Sequence, residues 1–281
     1  MRVPAAIAAL VGIAVLVPFV ARWQFRGLVG RDVRRLFLDG SASVGPDQLR
    51  ARWDTLPEPV RRYFRFAVRE GTPPISIARL LHDGFFRTKP GDGWLPIEGE
   101  QYFTTAAPGF VWHASVRPLP LLWIEARDCL LKGRGHMLVK LESTFPIADA
   151  SGPEIDQGAS LRWLAESAWF PYGFVGDAIE WESIDSGSAR ASIRNGGLPV
   201  NAVMEIDAEG RLVRLRAKRY RDVGGGQAVL TSWTGRYGEY REIGGFCIPA
   251  SVEVSWELED GVFSYARFRV TRLDYNIADR F

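Results

Sequence analysis

Residues 151–171, SGPEIDQGASLRWLAESAWFP, are the one strongly helical passage in the second half of a chain that otherwise reads as strand after strand. Ser151 and Glu154 have the spacing of a capping box, and Pro153 falls in the first turn, where its missing N–H costs no hydrogen bond. Leu161, Leu164, Ala165 and Ala168 recur at i, i+3, i+4 and i+7, the period of a buried face, and Pro171 ends the run. A sheet with an apolar face needs a second layer packed on it. One helix over 152–169, set between two series of strands, therefore predicts an open sheet covered by that helix.

The strands are read from alternation and turn chemistry. Before the helix the segments are Ala78–Thr88, Leu95–Thr105, Phe110–Val116, Leu121–Leu131 and Gly135–Leu141. Turn-prone stretches such as Lys89–Gly93, Pro108-Gly109 and Arg117–Pro120 separate them. After it, serial hairpins through Asp185-Ser186-Gly187, Asp207–Gly210, Gly244-Gly245 and Glu259-Asp260-Gly261 make an antiparallel meander. Val213, Leu215 and Ala217 alternate with Arg214, Arg216 and Lys218; Val252, Val254, Trp256 and Leu258 alternate with Ser251, Glu253, Ser255 and Glu257. One side of this sheet is thus apolar and the other charged. In Leu121–Leu131, charge is embedded: Glu125 and Arg127 read either as a polar anchor in a pocket or, more commonly, as a cross-strand ion pair on a solvated face.

The amino terminus reads differently. Pro4–Ala21 carries no charge over its length, near the lower limit for a spanning helix. A signal peptidase site after Ala21 would place bulky Phe19 where a small residue is preferred, so the expectation is an uncleaved single-pass anchor over 1–21. The positive-inside rule puts the body in the cytoplasm, whereas a short basic leader before a β-rich domain is common among exported bacterial proteins. The side of the membrane stays open. Residues 22–71 form a basic helical segment: from Arg22 to Arg69 there are eleven Arg and five acids, so the rest of the chain is net acidic. In Pro57–Arg69, Val60, Tyr63, Phe64 and Ala67 share one face and Arg61, Arg62, Arg65 and Arg69 another. Either this is a solvated face on a docked helix, or Arg22, Arg26, Arg61, Arg65 and Arg69 form a collar near anionic headgroups. The β domain is then 72–281.

The formal charge of +2 and the acidic C-terminal body give no support for nucleic acid as a partner. His82, His113 and His136 lie on separate strands without metal-ligand spacing, and Cys129 and Cys247 lack C-x-x-C spacing, so neither a metal nor a cofactor is expected. No nucleophile elbow or phosphate loop is present, and no catalytic residue is assigned.

The run from Asp149 to Pro171, together with Pro108–Trp112, Trp181–Asp185 and Ala189-Arg190-Ala191, resembles a bacterial family of uncharacterised, membrane-anchored proteins over about residues 55–275. At fold level the pattern is similar to the lipoprotein carriers (LolA/LolB-like). That likeness implies a mainly β (α+β) fold: a curved antiparallel half-barrel plugged by a central helix, preceded by the transmembrane helix and short amphipathic helices. It also implies an apolar cavity for acyl chains. Carriers shuttle, whereas a spanning anchor suits a fixed holder. The expected function is a membrane-tethered, non-catalytic module that binds a lipid or other apolar ligand, in a bacterial inner membrane. Trp112, Trp123, Trp163, Trp169, Phe170 and Trp181 are the expected lining, with Trp163, Trp169 and Phe170 as its gate. The expected partners are membrane lipids and an apolar ligand, with any protein partner unknown. The alternative is an envelope structural or interaction protein without a ligand. An enzyme on lipid-like substrates, using acids such as Glu100, Glu125, Asp128 and Glu166, ranks last.

Overall fold

Alternating segments from both halves of the chain hydrogen-bond into one sheet. The computed structural model describes residues 3–40, 52–119, 122–194 and 197–281, with side chains from residue 16 onward. Before the central helix run β1 (Ile77–Phe86), β2 (Leu95–Thr104), β3 (Gly109–Leu119), β4 (Leu122–Leu131), β5 (Arg134–Leu141) and β6 (Phe145–Ser151). After it run β7 (Ile179–Ser183), β8 (Ser188–Ile193), β9 (Val200–Ile206), β10 (Leu212–Gly224), β11 (Gln227–Ile243), β12 (Phe246–Leu258) and β13 (Gly261–Tyr275). The helices are α1 (Val3–Asp39), α2 (Glu58–Ala67) and α3 (Pro153–Glu166), the last followed by 3-10 turns at Ser167–Trp169 and Pro171–Val175.

The order across the sheet is β6-β5-β4-β3-β2-β1-β13-β12-β11-β10-β9-β8-β7, antiparallel throughout. Two meanders are joined where β1 pairs with β13, from Ala78 opposite Tyr275 to Phe86 opposite Ala266. The edge strands are β6 and β7, and α3 is the chain that connects them. The mainly β architecture, a curled antiparallel sheet with a helix on it, is therefore the one expected.

Local differences have local causes. β6 is a strand the sequence reading left out; it carries the sheet edge to Ser151, so no capping box forms. Gly152, at φ 121°, turns the chain as the N-cap residue with Pro153 behind it. Val213 is exposed rather than buried, because a register shift between Leu212 and Arg214 brings Leu212 inward in its place. Pro120 and Leu121, in an expected turn and strand start, lie outside the described residues.

α3 sits on the concave face. Leu161, Leu164, Ala165 and Ala168 are buried as their spacing predicts, but so are Asp156, Gln157 and Ser160. Close approach to β5 depends on Gly135, where a Cβ would stand 2.6 Å from the Ile155 carbonyl oxygen. Asp156 fixes the contact, its Oδ1 accepting the Gly135 N–H at 2.6 Å. α2 packs on the same side: Val60, Tyr63, Phe64 and Ala67 enter the core. Its basic side chains are paired locally, Arg61 and Arg65 with Glu58, and Arg69 with Glu242.

α1 covers the opposite, convex face. It is one helix of 37 residues that passes through Pro18 and across the 21/22 boundary without a break. Phe25, Val29, Val33, Leu36 and Phe37 form its buried ridge against Ile77, Tyr102, Val111, Cys129 and Leu138. No helix among the described residues is long and apolar enough to cross a membrane; the expected span Pro4–Ala21 lies largely in residues whose side chains fall outside the described set.

Beneath α1 the convex face carries charged side chains, several of them buried. Glu125 and Arg127 are buried, not solvated, because the helix lies over them. Arg127 donates to Asp32 of α1 at 2.7 Å and to His136 at 2.6 Å, and His136 contacts Asp149 at 2.7 Å. Arg22 of α1 pairs with Glu125 at 2.9 Å. His113 has Nδ1 3.0 Å from Glu100 and Nε2 against Glu125. Arg280 and the Tyr102 hydroxyl also reach Glu100. A carboxylate cannot donate, so both His113 contacts are satisfied together by the imidazolium.

Burial disfavours that charge, yet Glu100 and Glu125 outweigh it and raise the His113 pKa. Glu100 is likewise drawn down against its burial, to about 2, by His113 and Arg280. A raised folded pKa gives stability that is complete below the unfolded value of about 6.5 and is lost as pH rises through the folded value. The Glu100 contribution has the opposite sign: it is present above the ordinary carboxylate value and lost as pH falls towards about 2. The urea midpoint is therefore expected to fall from about pH 6 to about pH 9. His113→Gln should be less stable than the parent at the lower pH and should flatten that slope.

Candidate functional site

The concave face holds more volume than α3 fills. A cavity of about 300 Å³ remains between the sheet and the C-terminal half of the helix. Trp112, Val116, Ile124, Ala126, Met137 and Val139 line it from β3–β5, and Trp233, Tyr237, Val252, Val254 and Phe268 from β11–β13. Ala165 and Trp169 form the helix side. Clefts of about 510 and 540 Å³ elsewhere, beside β7 and along α1, are open grooves with charged or polar rims. The mostly apolar lining and the cover of α3 single out the concave cavity.

Four charged side chains reach this cavity: Asp128, Arg162, Glu166 and Arg219. Arg162 of α3 donates to Asp128 at 2.8 Å and to Glu166 at 2.9 Å, and its guanidinium lies 4.6 Å from the Trp112 ring centroid. Gln101 donates to the other Glu166 oxygen at 2.5 Å. Burial would discharge Arg162, but the two acids hold its pKa up. Burial also raises the pKa of Glu166, and Arg162 only partly offsets it.

Behind Trp112 lies His82, whose Nε2 accepts the Trp112 indole N–H at 2.8 Å. Burial and the nearby Arg162 charge push the His82 pKa down to about 3, so the ring is the neutral acceptor this bond requires. Gly99 makes room for it, since a Cβ there would stand 2.3 Å from His82 Nε2.

Of the six aromatics expected at the site, Trp112 and Trp169 line the cavity. Trp163 is fully buried, its indole N–H on the Thr104 carbonyl at 3.0 Å, and Phe170 packs between it and Phe103. These two fill the core behind the lining. Trp181 packs on Phe174 at the β7 edge. Trp123 lies on the convex side, against Phe19 and Arg22 of α1. Arg26 is exposed on α1, and its carbonyl accepts from Arg280 at 2.9 Å. Of the four acids weighed for acid–base work, Asp128 and Glu166 converge in the cavity and share Arg162, while Glu100 and Glu125 converge on His113 beneath α1.

Sequence reasoning missed Arg162, Arg219, Trp233 and Tyr237. Trp233, Gly235 and Tyr237 share one face of β11 by period two, a readable signal; for the arginines none was available.

Fold and site together define a helix-plugged antiparallel half-barrel with an apolar cavity. The chain belongs to a family of unknown function, DUF6544, which matches residues 48–268. The search of curated proteins found no match. Among solved structures, the chain is similar to a LolA superfamily protein from Nitrosomonas europaea, at 8% identity and TM-score 0.41, over 78% of this chain and 92% of that one. It is similar to a DUF1329 family protein from Desulfovibrio piger, at 14% identity and TM-score 0.44, over 82% and 93%. A beta-barrel-like protein of the domain of unknown function DUF1849 from Brucella abortus aligns at 9% identity and TM-score 0.32, over 75% and 100%. The site described above rests on this chain's own geometry.

Arg162→Met would leave Asp128 and Glu166 buried without their cation, a loss of about 3–5 kcal/mol in denaturant unfolding. Glu166→Gln, which keeps a hydrogen-bonding side chain and one acid on Arg162, should cost clearly less.

Proposed function

We propose that the protein is a non-catalytic binding module that holds a lipid or other apolar ligand in the cavity beneath α3 and is tethered to a membrane by its amino terminus. The observation that carries the reading is the cavity itself: about 300 Å³ of space with a largely apolar lining, within the range of roughly 300–1,000 Å³ typical of ligand pockets.

Tethering is supported by the uncharged run Pro4–Ala21 and by the exposure of Leu16, Val17, Phe19 and Val20 at its C-terminal end. The proposed site is a bacterial inner membrane, crossed once. Because α1 continues without a break into the ridge clamped on the sheet, body and anchor would move as one. That rigidity suits a fixed holder better than a shuttle.

Full-length protein should retain lipid through purification, detectable by mass spectrometry, and should take up a fluorescent fatty acid. Ala126→Phe, which fills the cavity from β4, should reduce that uptake severalfold while the protein stays folded. Undiminished uptake would place the ligand elsewhere. Alkaline carbonate washing should leave the chain in the membrane pellet, and its release to the supernatant would refute the anchor.

A further inference from the structure

We propose that the ligand of this cavity is a single-chain amphiphile with an anionic head, carboxylate or phosphate, and that Arg219 and Tyr265 hold that head. The inference rests on the cavity-binding reading and adds the chemical class of the ligand.

Arg219, on β10, lines the cavity and differs from Arg162 in having no carboxylate within ion-pair distance among the described residues. Among the described residues its hydrogen bond is a long one, from Nη1 to the Tyr265 hydroxyl at 3.4 Å, and the guanidinium lies 5.6 Å from the Trp233 ring centroid. Its Nε is buried with no acceptor among the described residues. A guanidinium presents five N–H donors in a fixed fork, so most of this one's capacity is unspent.

Tyr265 repeats the pattern. Its hydroxyl oxygen accepts from Arg219 and, at 3.0 Å, from the Trp233 indole, which leaves its own O–H proton to donate with no acceptor among the described residues. Two side chains of one apolar cavity therefore converge as donors on a place that supplies no acceptor. Arg221, two residues along the same face of β10, extends the pattern beyond the cavity: its Nε too is buried without a partner. An anion in the cavity answers the Arg219 and Tyr265 donors at once, and an arginine fork matches carboxylate and phosphate oxygens in particular. The volume, about 300 Å³, lies at the small end of ligand pockets, which favours one chain over two.

The test uses full-length protein in lipid nanodiscs, with empty nanodiscs as background. The probes are dansyl-labelled undecanoic acid, the matching alkyl phosphate, and the uncharged methyl ester of the acid. At least one of the two anions should bind about tenfold or more tighter than the ester, the scale of a hydrogen bond to a charged group; which anion does so identifies the head. Arg219→Gln should remove that preference and leave ester binding intact, Arg219→Lys should keep part of it, and Tyr265→Phe should weaken it. Equal binding of anions and ester by the parent protein, or a preference that survives Arg219→Gln, overturns the headgroup assignment and leaves the cavity reading standing. Failure to bind any probe overturns both. If a variant does not fold, the anion-to-ester comparison in the parent protein still decides.

Discussion

The pairing of β1 with β13 is the constraint on which the architecture depends. It joins strands nearly two hundred positions apart in the chain and merges two meanders into a thirteen-stranded sheet. Neighbouring strands rotate by roughly 20–25° relative to one another, so a sheet this wide curls instead of lying flat. Its edge strands, β6 and β7, are consecutive in sequence, and the connection between them has to run across the hollow of the curl. α3 is that connection. A single helix placed this way covers the concave face without filling all of it, and the remaining space is the cavity.

The two faces of the sheet solve opposite problems. On the concave side, apolar residues dominate and the charged side chains that intrude are matched to one another, as Arg162 is to Asp128 and Glu166. Arg219 is the exception, and it is the exception that gives the cavity a chemical polarity. On the convex side, α1 covers a connected set of ions, Arg22, Glu125, His113, Glu100 and Arg280, with Asp32 and Arg127 alongside and His136 and Asp149 at the more exposed margin. Desolvating so many charges costs about as much as their pairing returns, so little net stability follows from them. What they supply is position: an α1 shifted along its axis would take Arg22 away from Glu125 and leave Asp32 without Arg127. The apolar ridge from Phe25 to Phe37 provides the driving force, and the ions fix the register.

This arrangement links the two ends of the proposed function. The helix leading towards the proposed anchor is clamped to β2 and β3 on one face of the sheet, and the same strands present Ile97, Trp112 and Val116 to the cavity on the other. Successive residues of a strand point to opposite faces, so one short run of backbone serves both.

Most strands, the central helix and the buried face of α2 were legible in the sequence, because each is written as a local period: two for a strand, 3.6 for a helix, broken by glycine, proline and aspartate. Leu161, Leu164 and Ala165 lie inward as their spacing requires, and so do Val60, Tyr63 and Phe64. The ridge Phe25, Val29, Val33 and Leu36 was equally periodic but was hidden by the basic residues between its members. What no local period could decide is which strands meet, where a one-residue shift turns Val213 out and Leu212 in, and what covers a given face. Glu125 looks the same in sequence whether water or α1 lies over it. Trp123 and Trp112 are alike as residues and stand on opposite faces of the sheet. Those outcomes depend on contacts between distant parts of the chain, and burial, pairing and the unfilled space under α3 exist only once those contacts have formed.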